Sequence, residues 1–258
     1  MIKNHKRCES ALANFVFYGI INVCFKSKNY AIYYCNRTDK GEIGLKKEKI
    51  SNNVIRRLPR YLRKLDELKA AGVNRISSTE LGQQLGFTPS QIRQDFNCFG
   101  EFGQQGYGYN VPMLREQIAG ILGMDRGYSA VLIGVGHIGR ALIDNFCFQE
   151  WGFNLVQAFD VDPNLVGKEF SGVHVSSMES LSVFLKEHKV DIVVLAVPRE
   201  AALPTAEMLI DNGVNAIWNF TNVELVGPDS KVIVENVHFS DSLLALSYFV
   251  SDAYDSQK

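Results

Sequence analysis

Beyond residue 50, Ile55, Leu58, Leu62 and Leu65 recur at three- and four-residue spacing while Arg56, Arg57, Arg60, Arg63 and Lys64 occupy the other faces. That periodicity predicts an amphipathic helix, with Pro59 starting or kinking it and Gly72 placed to end it. The run from Ser77 to Glu80 then offers a capping box, a hydroxyl to take the N3 amide and a carboxylate to reach back to the cap amide. A short helix bearing Leu81 and Leu85 comes next and closes at Gly86. Thr88 to Gln91 repeats the device, with Thr88 as cap and Pro89 at the first helical position.

Two capped helices joined by a tight glycine-containing turn make a helix-turn-helix. In the second, Ile92 and Phe96 share a face, which leaves Ser90, Gln91, Arg93 and Gln94 exposed near its start, where side chains can reach base edges in a major groove. The next segment, GEFGQQGYGYNV, interleaves glycines with Phe102, Tyr107 and Tyr109 and predicts a hairpin with a tight tip. A hairpin after a recognition helix is a wing. Arg57, Arg60, Gln104, Gln105 and Tyr107 complete the candidate DNA contacts of this α+β winged-helix domain, which is expected over residues 45–124.

At residue 130 the period changes to an apolar strand, then Gly134-Val135-Gly136-His137-Ile138-Gly139, then an amphipathic helix. Gly134 permits the turn, Gly136 lets the backbone approach a pyrophosphate, Gly139 lets helix and strand pack closely, and the helix N-terminus faces the negative charge. A second strand, NLVQAFD, ends at Asp160, 21 residues after Gly139, where a carboxylate can accept both hydroxyls of an adenosine ribose. It would repel a 2′-phosphate, and no arginine comes after it, so NAD is favoured over NADP. His137 reads as a spectator, because amides hold the phosphates.

Further strand and helix pairs complete this half: DIVVLAVP with REAALPTAEMLIDNG, VNAIWNF with TNVEL, then KVIVEN. Near-continuous Val/Ile/Leu strands between helices predict a doubly wound parallel sheet covered on both faces, a Rossmann fold over residues 125–236. Val197, Pro198, Asn219, Phe220 and Thr221 stand at strand ends, where such sheets bind ligands. Leu243, Leu246, Val250 and Ala253 lie on one stripe of a terminal helix, expected over residues 237–258, which must bury that stripe on its own domain or on a partner subunit.

Charge sharpens the division. The formal net charge is only -1, yet residues 45–124 hold 12 Lys/Arg against 7 Asp/Glu while residues 125–258 hold 8 against 18. A basic module fused to an acidic one points to a polyanionic partner for the basic part. The 5 cysteines form no C-x-x-C pair and no Cys/His cluster, which excludes a metal site or disulfide framework as the organising chemistry. Residues 1–44 differ in pattern from the remainder of the chain: the apolar run ALANFVFYGIINVCF is interrupted by Asn14 and Asn22 and is too short to span a bilayer. They are expected to be a non-native or disordered extension, with the true start near Leu45; amino-terminal sequencing of the native protein decides this.

Taken together, RRLPRYLRKLDEL, ISSTELGQQLGFTPSQIRQDF, FGEFGQQGYGYNVP, GVGHIGRAL, FDVDP, AVPREAA and the closing NF and ENV blocks resemble the Rex redox-sensing transcriptional repressors of bacteria, from about Ile50 to the end. The resemblance implies a cytoplasmic homodimer with the last helix swapped onto the partner and no membrane association. It implies binding to pseudo-palindromic double-stranded operators when NAD is abundant and release when NADH rises. NADH and NAD are then regulatory ligands, and the chain is not an enzyme. Two positions depart from the family pattern: Asn145 stands where a tyrosine is usual, and His238 where an aspartate pairs with an arginine matching Arg63. A weakened or altered switch is the expectation. Gln94, Gln104 and Gln105 replace Lys or Arg of some relatives, so fewer phosphate contacts are expected.

The same cofactor motif serves NAD-dependent dehydrogenases, but no acid/base pair stands near the nicotinamide end and a winged helix would go unexplained. A CoA-binding module of the ligase type is a third reading of the Rossmann part.

Overall fold

The computed structural model describes residues 23–25, 31–37, 43–100, 102–104, 107–225 and 232–256. The chain divides into two compact units, Met1–Leu122 and Gly123–Lys258, so the boundary falls two residues before the one expected at Met124.

The first unit opens with an antiparallel sheet of β1 (Val23–Phe25), β2 (Ala31–Arg37) and β3 (Ile43–Lys49). The boundary expected before Leu45 therefore lies inside β3, and most of the apolar run before it lies outside the described residues. Helix α1 (Asn52–Ala70) starts at Ser51, whose side chain accepts from the Asn53 amide. It runs through Pro59 instead of starting there. Pro59 is exposed, away from the buried stripe of the helix. The buried stripe is Val54, Leu58, Tyr61, Leu62, Leu65 and Leu68.

Both predicted N-caps form. In α2 (Ser78–Leu85) the Ser77 hydroxyl accepts from the Glu80 amide and the Glu80 carboxylate accepts from the Ser77 amide, and Gly86 closes the helix at φ +72°. In α3 (Pro89–Asn97) Thr88 accepts from the Gln91 amide. The turn between them is tight because residue 82 has no side chain: a Cβ there would lie 2.5 Å from the Phe87 carbonyl oxygen. The wing hairpin pairs β5 (Gly103–Gln104) with β6 (Gly108–Asn110), and β6 also pairs with β4 (Arg75–Ile76), a strand that the sequence pattern does not announce. Phe96 meets Tyr61, Phe102 and Tyr109 edge-on at 5.0, 5.7 and 5.1 Å, and this aromatic cluster joins α1, α3 and the wing. Helix α4 (Val111–Ile121) packs on α1, with Arg115 Nε on Asp66 Oδ1 at 2.7 Å.

The second unit is a seven-stranded sheet: β7 (Tyr128–Ile133), β8 (Phe153–Asp160), β9 (Glu169–Phe170), β10 (Val173–Ser177), β11 (Ile192–Leu195), β12 (Ala216–Asn219) and β13 (Ile233–Asn236). The order is β13-β12-β11-β7-β8-β10-β9, parallel throughout except for β9. The strand order reverses between β7 and β11, the switch point at which such sheets open a crevice. Helices α6 (Leu181–Glu187) and α7 (Arg199–Asp211) cover one face, packing on Val131, Ile133, Val193 and Leu195. The opposite face, Leu132, Ala158, Val175 and Val194, carries α5 (His137–Asn145) together with Phe148 and Phe220. Both faces of the sheet are thus covered, as expected of a doubly wound fold. Residues 221–225, read as the start of a helix, form bends with Asn222 at φ +47°, and an apolar groove of about 310 Å³ lined by Phe146, Phe148, Phe153 and Trp218 stays open beside α5. Helix α8 (Phe239–Asp255) has no buried residue, and exposes Leu243, Leu244, Leu246, Phe249 and Val250.

Candidate functional site

In the Rossmann unit the three glycines of the loop after β7 have three distinct environments. Gly134 has φ +92°, and a Cβ there would lie 2.5 Å from the Ala196 oxygen across the switch point. A Cβ on Gly139 would lie 1.9 Å from the Gly134 oxygen, so helix and strand pack with no room for a side chain. Gly136 has nothing within 4 Å, caps α5 without any side-chain hydrogen bond, and faces open space. The first amides of α5 have no intrahelical acceptor and no side-chain cap, which is the arrangement that receives a phosphate. His137 and Ile138 are exposed at this tip, while Val135 is buried beneath it.

Asp160, at the end of β8, is nearly buried and is tied to the loop: Oδ2 accepts the Val135 amide at 2.6 Å and Oδ1 accepts the Asp162 amide at 2.8 Å. Each carboxylate oxygen retains a further lone pair for a ribose hydroxyl. Val197 and Pro198 lie at the end of β11, with Pro198 exposed at the N-terminus of α7. Asn219, Phe220 and Thr221 at the end of β12 are buried. Asn219 Oδ1 takes both the amide and the hydroxyl of Thr221, and its Nδ2 donates to the Val223 oxygen and Asn236 Oδ1. Asn219 therefore shapes the turn, with its polar atoms already engaged.

A second cavity, of about 410 Å³, is lined by His137, Asn145, Phe220 and Phe239 among others, so the loop tip and the departing position 145 share one opening. Asn145 Nδ2 donates to the Ala141 oxygen, back along its own helix. His238 Nε2 lies 3.2 Å from Glu224 Oε2, a carboxylate that no sequence motif singles out, and Glu224 Oε1 also accepts Asn236 Nδ2. Helix α5 is locked to the β9–β10 turn: Arg140 stacks on Phe170 at 3.4 Å, and Asp144 accepts from Ser171 and Arg140. The Ser171 hydroxyl, and after it Arg140, holds the Asp144 carboxyl below its ordinary range.

In the winged-helix unit Ser90, Arg93 and Gln94 are exposed on α3 with Gln91 half-buried, and Arg93 Nη1 donates to Ser78 Oγ at 3.0 Å. Tyr107 is exposed beside the wing, its carbonyl accepting from Arg75. Gln104 belongs to β5, and Gln105 lies outside the described residues. Two expected DNA contacts face other partners. Arg57 makes a two-pronged pair with Asp95, and Arg60 caps α2 by donating to the Leu85 oxygen while lying over the Phe87 ring at 4.4 Å. Arg63 is exposed. Asp95 was not among the expected site residues, although a signal was present: between Ile92 and Phe96 the carboxylate falls on the buried face and needs a cation.

Comparison with known proteins respects this division. Residues 49–97 match a family described as putative DNA-binding protein N-terminus, and residues 125–223 match the CoA binding domain family. The redox-sensing transcriptional repressor Rex of Clostridium beijerinckii is 51% identical over 208 residues, 81% of this chain and 98% of that protein. Two crystal structures of RSP superpose with TM-score 0.74: its complex with β-NAD+ and operator DNA, at 46% identity over 82% of this chain and 97% of that one, and its complex with β-NADH, at 43% over 82% and 100%. With a capped helix-turn-helix and wing in one unit, an open glycine loop over a buried aspartate in the other, and a relative matched across both, this chain belongs to the Rex family of redox-sensing transcriptional repressors.

Proposed function

We propose that this chain is a DNA-binding repressor that reads the NADH/NAD ratio, holding its operator when NAD predominates and leaving it when NADH fills the Rossmann unit. The observation that carries the reading is the open, uncapped Gly136 corner above Asp160, in a chain whose other unit presents a capped recognition helix. The pyrophosphate lies on the amides after Gly136, Asp160 takes the ribose hydroxyls, and Val197 and Pro198 border the nicotinamide half. Ser90, Gln91, Arg93 and Gln94 reach into the major groove, with Tyr107, Gln104 and Gln105 at the wing. The dinucleotide is a ligand and undergoes no turnover.

The protein acts as a cytoplasmic homodimer. Support for the dimer is the apolar α8, which has no buried residue, together with the open groove on the sheet face of the same unit. Among the described residues no helix is long and apolar enough to cross a membrane.

The test is a DNA-shift assay on the protein's own promoter with NAD or NADH at fixed salt. Release by NADH alone supports the reading; no difference between the two ligands overturns it. The CoA binding domain match on residues 125–223 keeps one alternative ligand in view. Displacement of NADH by coenzyme A at comparable concentration would favour it, and turnover of NADH with added carbonyls would favour a dehydrogenase.

A further inference from the structure

Helix α3 is held from behind by a small buried polar cluster. The Asp95 side chain is 2% exposed, and its oxygens accept three hydrogen bonds, each of 2.7 Å: from Arg57 Nε, Arg57 Nη2 and the Tyr61 hydroxyl. All three donors sit on α1. Burial, and then the bond to Asp95, raise the Tyr61 hydroxyl well above its ordinary pKa, so it remains a donor at working pH. The hydrogen bond to Asp95 likewise holds the Arg57 guanidinium charged.

From this geometry we infer that Asp95 is a positioning residue for operator readout: through Arg57 and Tyr61 it fixes the rotation of α3 about its own axis, and so where Ser90, Arg93 and Gln94 stand in the groove. A planar guanidinium gripping both carboxylate oxygens resists rotation in a way that apolar packing does not. Side-chain tips lie roughly 5–6 Å from a helix axis, so a turn of about 20° displaces a base-contacting group by about 2 Å. That is enough to break a bidentate base contact, which needs a heavy-atom distance near 3 Å. Packing alone does not account for the cluster. Replacing a buried ion pair with apolar residues of similar size is often neutral or stabilising, so a carboxylate on the buried face of α3 is not required for the fold. The inference rests on α3 as the reading helix, and the arms of the experiment separate the two claims.

The test uses the full-length protein with NAD at fixed salt, a duplex selected from a random library by the wild-type protein, and a scrambled duplex of the same composition. Asp95→Asn, Arg57→Lys, Tyr61→Phe and the combined apolar replacement Arg57→Met/Tyr61→Phe/Asp95→Leu are compared by thermal unfolding, NADH titration and affinity for both duplexes. Arg57→Lys and the apolar replacement are expected to keep the fold and NADH affinity. They should lose about tenfold or more on the selected duplex while changing little on the scrambled one. Should Asp95→Asn fail to fold, the remaining variants decide by the same ratio. Folded variants whose selected-to-scrambled ratio stays at the wild-type value overturn the inference. An equal loss on both duplexes also overturns it, since Arg57 would then be a plain phosphate contact. Arg93→Ala run in parallel reports on α3 itself: if its ratio is also unchanged, the reading helix was wrongly assigned.

Discussion

Asp160 Oδ2 accepts the Val135 backbone amide at 2.6 Å, which couples the acidic end of β8 to the glycine loop after β7. One carboxylate therefore braces the phosphate loop and presents acceptors to the ribose. Asp160→Ala should weaken NADH binding by about 1.5–3 kcal/mol, the usual size of a hydrogen bond to a charged group, and narrow the preference over NADPH. Asp160→Asn keeps one acceptor and loses the charge, so it should narrow the preference with a smaller loss of NADH affinity. Fluorescence titration with both cofactors measures this, and an unchanged NADH/NADPH ratio in both variants would place the ribose elsewhere.

The glycines of the loop should separate folding from binding. Gly136→Ala meets nothing within 4 Å, so its thermal midpoint should stay near wild type while NADH affinity falls, because the new methyl group stands where the pyrophosphate approaches. Gly139→Ala sets a carbon 1.9 Å from the Gly134 oxygen and should lower the midpoint and NADH binding together. A Gly136→Ala protein with unaltered NADH affinity would show that the phosphates do not pass that corner.

Arg93→Ala should reduce specific DNA affinity by about 1–3 kcal/mol and leave NADH binding intact. Ser78→Ala removes only the 3.0 Å tether between Ser78 and Arg93, so it should give a smaller loss in the same direction. Equal losses on specific and random DNA would make Arg93 a phosphate contact.

His238 stands 3.2 Å from Glu224. His238→Asp sets a second carboxylate beside that one, a repulsion that Glu224→Gln removes. If position 238 biases the switch, the operator affinity difference between NAD and NADH should widen in His238→Asp by about 1–3 kcal/mol, and further in the double variant. A ratio equal to wild type in both would take position 238 out of the switch.

The legible parts of the molecule are those fixed by neighbours in sequence. Ser77 with Glu80, Thr88 with the Gln91 amide, and Gly134 and Gly139 act within one turn or one strand–helix junction, and the capping box, the second N-cap, the turn and the close helix–strand approach all form as the sequence predicts. Tertiary partners are not legible in this way. Arg57 reads as one of several exposed arginines until Asp95, 38 positions away, is seen to claim it. The short strands β9 and β10 and helix α6 escape notice because they are only 2, 5 and 7 residues long, too short for a repeating period to show. Residues 221–225 read as a helix on composition, but Asn222 adopts a left-handed turn and Asn219 holds the bend from below.

Helix α8 leaves Phe239, Leu243, Leu244, Leu246, Tyr248, Phe249, Val250 and Tyr254 all at the surface of its own unit. Covering that face with a second chain makes the folded population a function of how much of the protein is present, because subunit association stabilises by mass action. Thermal unfolding should then shift upward with protein concentration. Dilution, or a low expression level, would loosen the sensor before any change in redox state reaches it. In a homodimer closed through that face, the last helix would give this repressor a dependence on its own abundance alongside the one on its ligand.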